Sequence, residues 1–267
     1  MHFGPQVSAI EIAGFEPHGL RDSLKGVSAD VVFNLASAGV NPADREPLAM
    51  LEGNVHLLAG VLCCLDRQQT RRFIHTGSCS EYAPAEPGHR LTEDDPVGPS
   101  SLYGAAKLCA SLYGSALAAE RGISFLNLRL FGVFGEGEAP HRLVPYLIGK
   151  LREDQPVDLT AGEQIRDWLY VDDAVGALLL AATSKNIGQP GVYNVCSGQA
   201  TSVRQIALQV AETMKKPIRL LRFGARPYRP DESMWIVGDS RRFTAATGWL
   251  PRVSMAEGIR LMLAHSA

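Results

Sequence analysis

Tyr103 and Lys107 are the residues of this sequence whose types and spacing point most directly to chemistry. Four positions apart, they lie on one face of a helix, about one turn from each other. A lysine ammonium near a phenol favours the ionised form, so we expect it to lower the tyrosine pKa from its usual value of about 10. A tyrosine tuned in this way can transfer a proton to or from a substrate hydroxyl or ketone.

Ser78 precedes this pair, at the end of a predicted strand, where its hydroxyl could hold the same substrate oxygen. Each residue also has an ordinary structural interpretation. Tyr103 and Lys107 could form a solvated pair on an exposed helix, and Ser78 could cap the end of the strand. Other features of the sequence are needed to distinguish the catalytic interpretation from the structural one.

The composition is typical of a globular protein without a polyanionic partner. The 267 residues can bury a substantial core, and 46% hydrophobic with 20% charged residues is ordinary for a soluble protein. A formal net charge of −2 gives no electrostatic reason to expect nucleic acid or an anionic membrane. Neither a signal peptide nor an uninterrupted apolar stretch long enough for a bilayer is visible. We therefore predict a cytoplasmic protein that binds neither nucleic acid nor a membrane.

The cysteines indicate free thiols in a reducing compartment. Their number is odd and none lies in a C-x-x-C pair, which argues against both a disulfide framework and a zinc site. We expect no metal. The five cysteines are Cys63, Cys64, Cys79, Cys109 and Cys196.

Short apolar runs alternate with longer helical patterns, which is typical of βαβ units around a parallel sheet. Strands are predicted at 31–36, 72–76, 123–129 and 191–195. Helices are predicted at 47–65, from Tyr103 to about 120, at 141–152, 173–183 and 203–214, and from 255. Residues 84–100 are predicted as a proline-marked loop, 132–137 as a glycine-rich turn, and 162–171 as a loop leading into a short strand. The interpretation is an α/β fold with two parts, a dinucleotide-binding domain over 1–138 and mainly a substrate-binding lobe over 139–267, with segments of the second part returning to the sheet.

A series of short motifs along the chain is typical of one protein family. They are Asn34-Leu35-Ala36-Ser37, Asn54, Ser78 closing on Tyr82, Tyr103 with Lys107, Arg129–Gly135, Arg166–Asp173, Tyr193–Gly198, Arg229-Pro230-Asp231 and Gly248-Trp249-Leu250-Pro251. In this order they resemble the extended short-chain dehydrogenase/reductase family, the NAD-dependent nucleotide-sugar epimerases and dehydratases. The resemblance runs from about residue 25 to the end of the chain. It implies a Rossmann-like parallel sheet, a nucleotide-sugar substrate, NAD or NADP as cofactor, and a homodimer formed through paired helices that include the one bearing Tyr103.

The resemblance also implies roles for single residues. Tyr103 corresponds to the catalytic acid/base, Lys107 to the residue that tunes it and holds the nicotinamide ribose, and Ser78 to the hydroxyl that bonds the reacting sugar oxygen. Arg166 and Arg229 correspond to residues that grip the diphosphate of the substrate. Positions that line the cofactor are Asn34, Leu35, Ala36 and Asn54, together with Tyr103 and Lys107.

Structural alternatives stay open for several of these positions. Arg166 could simply pair with Asp167 or Asp173, and Arg229 could have a similar structural role. Asn34 and Asn54 could satisfy local backbone groups.

Two residues narrow the expected reaction. Dehydratases of this family carry an Asp-Glu pair directly after the catalytic serine or threonine, where an acid and a base act on neighbouring carbons. Here those positions are Cys79 and Ser80, which cannot do that work. The sequence therefore favours an epimerase or a 4-ketoreductase over a dehydratase.

One family motif is missing from the sequence as given. The fold normally begins with a strand, a G-x-x-G-x-x-G turn and a helix that receives the pyrophosphate, and the first 30 residues contain no such turn. We expect this to leave unpaired backbone groups and exposed apolar side chains beside the strand that begins at Val31. Two hypotheses follow: either the recorded start lies too late in an ordinary enzyme, or the chain is a catalytically impaired remnant or a binding protein of the same fold, for which we expect weak or no NAD binding. An RNA-binding relative is a more distant alternative, disfavoured by the near-neutral charge.

Overall fold

The structure is a computed structural model that describes residues 8–12, 17–41, 44–187, 191–229 and 232–265. The described residues form ten strands and nine α-helices. The strands are β1 (Val31–Asn34), β2 (Arg72–Ser78), β3 (Ser124–Leu130), β4 (Gly132–Phe134), β5 (Val157–Leu159), β6 (Ile165–Tyr170), β7 (Gly191–Val195), β8 (Ala200–Ser202), β9 (Leu221–Phe223) and β10 (Trp235–Ile236). The helices are α1 (Pro17–Ser23), α2 (Pro47–Leu51), α3 (Leu57–Cys64), α4 (Leu102–Glu120), α5 (Leu143–Arg152), α6 (Val171–Thr183), α7 (Val203–Thr213), α8 (Arg241–Thr247) and α9 (Met255–His265).

The main sheet has the order β1-β2-β3-β7, and each neighbouring pair is parallel. Strands β2 and β3 pair along their whole length, from Arg72 opposite Ser124 to Ser78 opposite Leu130. Parallel neighbours need crossover connections, which α3, α4 and α6 supply. This arrangement confirms the predicted α/β fold with a Rossmann-like parallel sheet.

Strands β2 and β3 are buried on both faces, which explains why their sequences read as continuous apolar runs. Phe73 and Phe125 stack with their ring centroids 5.7 Å apart, in a cluster with residues of α3 and α4. Ile74 and Leu126 point the other way, into a cluster that contains Ala177 of α6. The sheet therefore has a helical layer on each side.

The helix predicted over 47–65 is present but not regular. It consists of α2, a π-helical turn over Glu52–His56, and α3. Asn54 lies in the π-helical turn, where its side chain binds both the N–H and the C=O of Ala38. The stretch Pro47–Cys64 has a mean hydropathy of 1.4, so by length and composition alone it could cross a membrane, a test that core helices of soluble proteins also pass.

Helix α4 has the boundaries expected from its sequence. The Ser101 hydroxyl caps its N-terminus by accepting a hydrogen bond from the Gly104 N–H at 3.1 Å. The helix ends at Glu120, and Gly122 follows in the left-handed conformation with φ of 68°.

A second apolar cluster forms beyond the main sheet, where α5, α7 and α9 pack around β5 and β9. The other small sheet has β6 between β4 and β10, with β8 antiparallel to β6. The family-like tail returns to the main sheet, since Trp249 is buried against Phe243, with ring centroids 5.6 Å apart.

One local prediction was wrong. The glycine-rich segment 132–137 is not all turn, because Gly132–Phe134 forms β4, which is held by pairing with the distant β6. The loop predicted over 162–171 does lead into a strand, β6, which is longer than expected at Ile165–Tyr170, and Val171 already begins α6.

Strand β1 pairs only with β2 in the part of the chain that the structure describes. Beside this edge, Phe33 is 38% exposed and Leu35 is 57% exposed. Exposed apolar side chains at this position match the expectation from the sequence.

Candidate active site

A cleft of about 890 Å³ opens at the carboxyl ends of the main sheet strands, between the sheet and the second cluster. This is where α/β folds commonly bind ligands. Ser78, Tyr103 and Lys107 all line the cleft. Arg166, Arg229 and Leu35 also line it, so the structure brings six of the predicted site residues together.

Ser78 is fixed at the point where β2 ends and a 3₁₀ helix, Cys79–Glu81, begins. Its side-chain oxygen accepts a hydrogen bond from the Ser80 N–H at 3.1 Å, and its backbone N–H donates to Glu81 Oε1 at 2.8 Å. The serine is thus a cap, as the structural alternative proposed. Its hydroxyl nevertheless lies near the Tyr103 hydroxyl in the cleft, where its interaction with the phenol acts to lower the pKa of Tyr103.

Helix α4 packs closely against the 3₁₀ helix because it has a glycine, Gly104, at the point of contact. A Cβ atom added at Gly104 would collide with the Ser80 carbonyl oxygen and approach Pro99 Cβ to 2.8 Å. The absence of a side chain lets the first turn of α4 contact the 3₁₀ helix directly. Tyr103, next to Gly104, is thereby placed beside Ser78.

The structure contradicts the expected direction of the Tyr103 pKa. Burial raises the pKa of Tyr103, and hydrogen bonds with the Ser37 and Ser78 side chains act against that rise. The Lys107 ammonium is not among the groups that shift this pKa, and its Nζ donates to the Thr76 carbonyl oxygen at 2.6 Å. Desolvation therefore dominates over the lysine charge.

The pKa of Lys107 is also strongly shifted from its usual value. Only 1% of the residue is exposed, and this burial lowers the pKa of Lys107 to about 8, while the Glu81 carboxylate acts in the opposite direction. A solvated surface pair is therefore not the arrangement of Tyr103 and Lys107.

The two arginines differ in their surroundings. Arg166 forms an ion pair with Glu232, its Nη2 lying 2.5 Å from Oε1, rather than with Asp167 or Asp173. Arg229 is exposed at the rim of the cleft. The Pro230-Asp231 part of its motif lies outside the described residues.

The predicted cofactor-lining residues divide into two groups. Leu35 lines the cleft, and Ala36 follows it in the loop after β1. Asn34 hydrogen-bonds with His75 Nδ1 at 3.2 Å, and Asn54 satisfies backbone groups of Ala38 and of Met50, as the structural alternative held.

Sequence reasoning missed three features of the site. The Arg45 guanidinium lies over the Tyr103 ring, 5.8 Å from its centroid. A buried ion pair joins Glu81 to Arg129 at 2.9 Å. Gly132 lines the cleft and has no room for a side chain, because a Cβ there would come within 2.6 Å of the Asp167 carbonyl oxygen. A charged residue inside an otherwise apolar strand was a signal for Arg129, whereas nothing local signalled Arg45.

Comparison with known proteins places the chain among relatives that act on nucleotide sugars. The model of the NAD dependent epimerase/dehydratase family matches residues 9–196. A CDP-abequose synthase of Salmonella muenchen is 32% identical over 261 residues, which cover 89% of this chain and 86% of that protein. The dTDP-6-deoxy-L-talose 4-dehydrogenase of Kitasatospora kifunensis is 28% identical over 260 residues, covering 94% of this chain and 80% of that one. The match to another CDP-abequose synthase, from Salmonella typhimurium, spans about half of that protein, 48% of its length, at 34% identity.

Among solved structures, the UDP-glucose 4-epimerase of Thermus thermophilus in complex with NAD superposes with a TM-score of 0.84. It is 26% identical, and the match covers 94% of this chain and 82% of that one.

The Tyr103 environment makes a prediction that titration can check. Replacing Ser78 by Ala removes a hydrogen bond that lowers the pKa of Tyr103, so the Tyr103 pKa should rise above its value in the unaltered chain. NMR of ¹³Cζ-labelled tyrosine measures it, with Tyr103→Phe assigning the signal. Ser80→Ala, two residues further along the chain, is the control and should leave the Tyr103 pKa unchanged. A lower or unchanged Tyr103 pKa in Ser78→Ala would contradict the described hydrogen bond.

Proposed function

The chain belongs to the NAD dependent epimerase/dehydratase family, and we propose that it is an NAD(P)-dependent nucleotide-sugar 4-epimerase or 4-ketoreductase with Tyr103 as its acid/base. One observation carries this proposal. Tyr103, Ser78, Ser37 and Lys107 line the same cleft, and the Ser37 and Ser78 side chains both act on the Tyr103 hydroxyl.

The chain's own residues would move the proton. Tyr103 takes a proton from a sugar hydroxyl, or gives one to a sugar ketone, at its phenolic oxygen. Ser78 hydrogen-bonds the same sugar oxygen and fixes its distance from Tyr103. The raised pKa keeps Tyr103 protonated near neutral pH, which suits donation to a ketone. This favours the ketoreductase direction, since an alcohol substrate needs the phenolate first.

The residues around the cleft fit the nicotinamide end of a dinucleotide. Lys107 presents an ammonium group that suits ribose hydroxyls, and Leu35 and Ser37 line the neighbouring wall. When bound, the cofactor supplies or accepts the hydride. The Thermus relative contains NAD in its structure, which supports the same cofactor class here.

Two arginines support a diphosphate-containing substrate. Arg166 and Arg229 line both the main cleft and a smaller adjoining cavity of about 200 Å³ that reaches Tyr103. Guanidinium groups match phosphate oxygens in geometry and charge. The Arg166–Glu232 ion pair would have to open, or the phosphate to share the guanidinium with Glu232.

Cys79 and Ser80 support epimerisation or reduction over dehydration. Burial raises the pKa of Cys79 to about 11, so the thiol stays protonated and neutral at physiological pH. Neither side chain offers the carboxylate that elimination from neighbouring carbons would use.

Replacing Tyr103 by Phe should reduce kcat by about 10²–10⁴-fold, because the proton donor is lost while ring packing is kept. The assay follows NAD(P)H absorbance with 4-keto nucleotide sugars, and sugar exchange at C4 by NMR with UDP-, dTDP- and CDP-hexoses. Tyr113→Phe, on the exposed side of the same helix, is the control and should keep full activity. Activity of Tyr103→Phe within a few-fold of the unaltered chain would exclude Tyr103 as the acid/base.

A second candidate is a catalytically impaired or purely binding protein of this fold. The exposed apolar edge of β1 favours it, because Phe33 and Leu35 lie beside the cofactor side of the cleft without cover from the described residues. For the 267-residue chain we then expect weak NAD or NADPH binding, beyond the micromolar range. Isothermal titration calorimetry tests this, and a micromolar Kd would refute the impaired form.

We also propose the homodimer that the family resemblance implies. Leu112 and Tyr113 on α4 are 62% and 53% exposed, and Leu48 and Leu51 of α2 are exposed as well. Such side chains would be buried if α4 packed against its copy. Light scattering should give twice the 28.8 kDa chain mass, and Leu112→Asp should shift it towards the monomer. A monomer at tens of micromolar would contradict the proposal.

A further inference from the structure

A buried charge cluster lies directly behind the candidate acid/base residues. Glu81 is fully buried, and its Oε2 accepts hydrogen bonds from Arg129 Nε at 2.9 Å and Asn127 Nδ2 at 3.0 Å. Its Oε1 accepts from the Ser78 N–H at 2.8 Å. The carboxylate thus has polar partners on both oxygens.

We propose that Glu81 is a positioning residue of the candidate active site, whose carboxylate fixes the backbone of Ser78 and supplies the buried negative charge that offsets the Lys107 ammonium. The proposal rests on the proposed function only in naming this site catalytic.

The backbone between Thr76 and Ser78 connects Glu81 to Lys107. Lys107 Nζ donates to the Thr76 carbonyl oxygen, and Glu81 holds the N–H of Ser78, two residues further along. A Cβ atom at Gly77, between them, would lie 2.5 Å from Glu81 Oε1 and would collide with Asn127. The carboxylate therefore packs against the stretch of β2 that the lysine also contacts.

Four elements place titratable or charged groups near Lys107. Glu81 is the group on the 3₁₀ helix, His75 lies on β2, Arg129 lies on β3, and Tyr103 lies on α4. His75 is fully buried, and both this burial and the Lys107 charge lower the pKa of His75, so it carries no charge near neutral pH. Tyr103 is protonated there. Glu81 is consequently the single negative group among these four, and it faces two cations.

The pKa of Lys107 can show whether the Glu81–Arg129 pair acts through its charges or only through packing. Arg129 also lies over the Tyr82 ring, 4.3 Å from its centroid, so the pair could be retained for packing alone. Removing the charge of Glu81 should make the Lys107 ammonium less stable, whereas removing the charge of Arg129 should make it more stable. A packing role would give no opposite shifts.

The test measures the titration of Lys107 itself, which does not require that the chain be active. The sequence has six lysines, so ¹³Cε- and ¹⁵Nζ-labelled lysine gives a simple NMR spectrum, with Lys107→Met assigning the signal. In Glu81→Gln the Lys107 pKa should fall from about 8 by about one pH unit. In Arg129→Gln it should rise. Ser111→Ala, which removes a hydroxyl that donates to the Lys107 carbonyl without changing charge, should leave it in place.

An unchanged Lys107 pKa in a folded Glu81→Gln variant would overturn the proposal. If that variant does not fold, the Arg129→Gln variant decides, and a fall or no change in its Lys107 pKa would also overturn the proposal. Failure of Tyr103→Phe to lose activity would leave these shifts intact, so the two proposals fail separately.

Discussion

The contact between the first turn of α4 and the end of β2 determines the geometry of the cleft. Gly104 meets the Ser80 carbonyl with no space for a side chain, and this contact sets Tyr103 beside Ser78. One turn later, the Lys107 ammonium meets the Thr76 carbonyl in β2 itself. A helix that meets β2 and the 3₁₀ helix after it at these two positions cannot slide along them without breaking both contacts. Tyr103 and Lys107 are therefore held in place by packing in the core rather than by the loops around the cleft.

The second cluster is joined to this core through β6. Successive residues of a strand point to opposite faces, and β6 uses this alternation with two charged residues. Arg166 points into the cleft, whereas the buried Asp167 carboxylate binds the Ser197 and Gly198 backbone N–H groups at 2.7 and 2.9 Å and the Gly238 N–H at 3.2 Å. Those bonds hold the loop after β7 and the segment after β10 on one strand. The guanidinium proposed to bind phosphate is thus fixed by its neighbour's buried hydrogen bonds.

The sequence predicted what depends on local spacing and failed where distant charges meet. Tyr103 and Lys107 were predicted to share a helix face because they lie four residues apart. Ser78 was predicted beside them because it ends a strand. The direction of the Tyr103 pKa was wrong, since the orientation of Lys107 depends on Thr76 in another element. The partner of Arg166 was also missed, because Glu232 lies 66 residues away. Likewise β4 was missed because it exists through pairing with β6, a remote segment that a window of neighbouring residues does not contain.

The depth at which Lys107 is buried has a chemical consequence of its own. With a pKa of about 8, roughly half of the molecules carry an uncharged amine at that pH, whereas an ordinary lysine is uncharged in well under one molecule in a hundred. An uncharged amine is a nucleophile. Only 1% of Lys107 is exposed and its Nζ donates to the Thr76 carbonyl oxygen, so this amine can be approached only from within the cleft that it lines. An electrophilic probe that fits the cleft would therefore react with the Lys107 amine, within a helical turn of Tyr103.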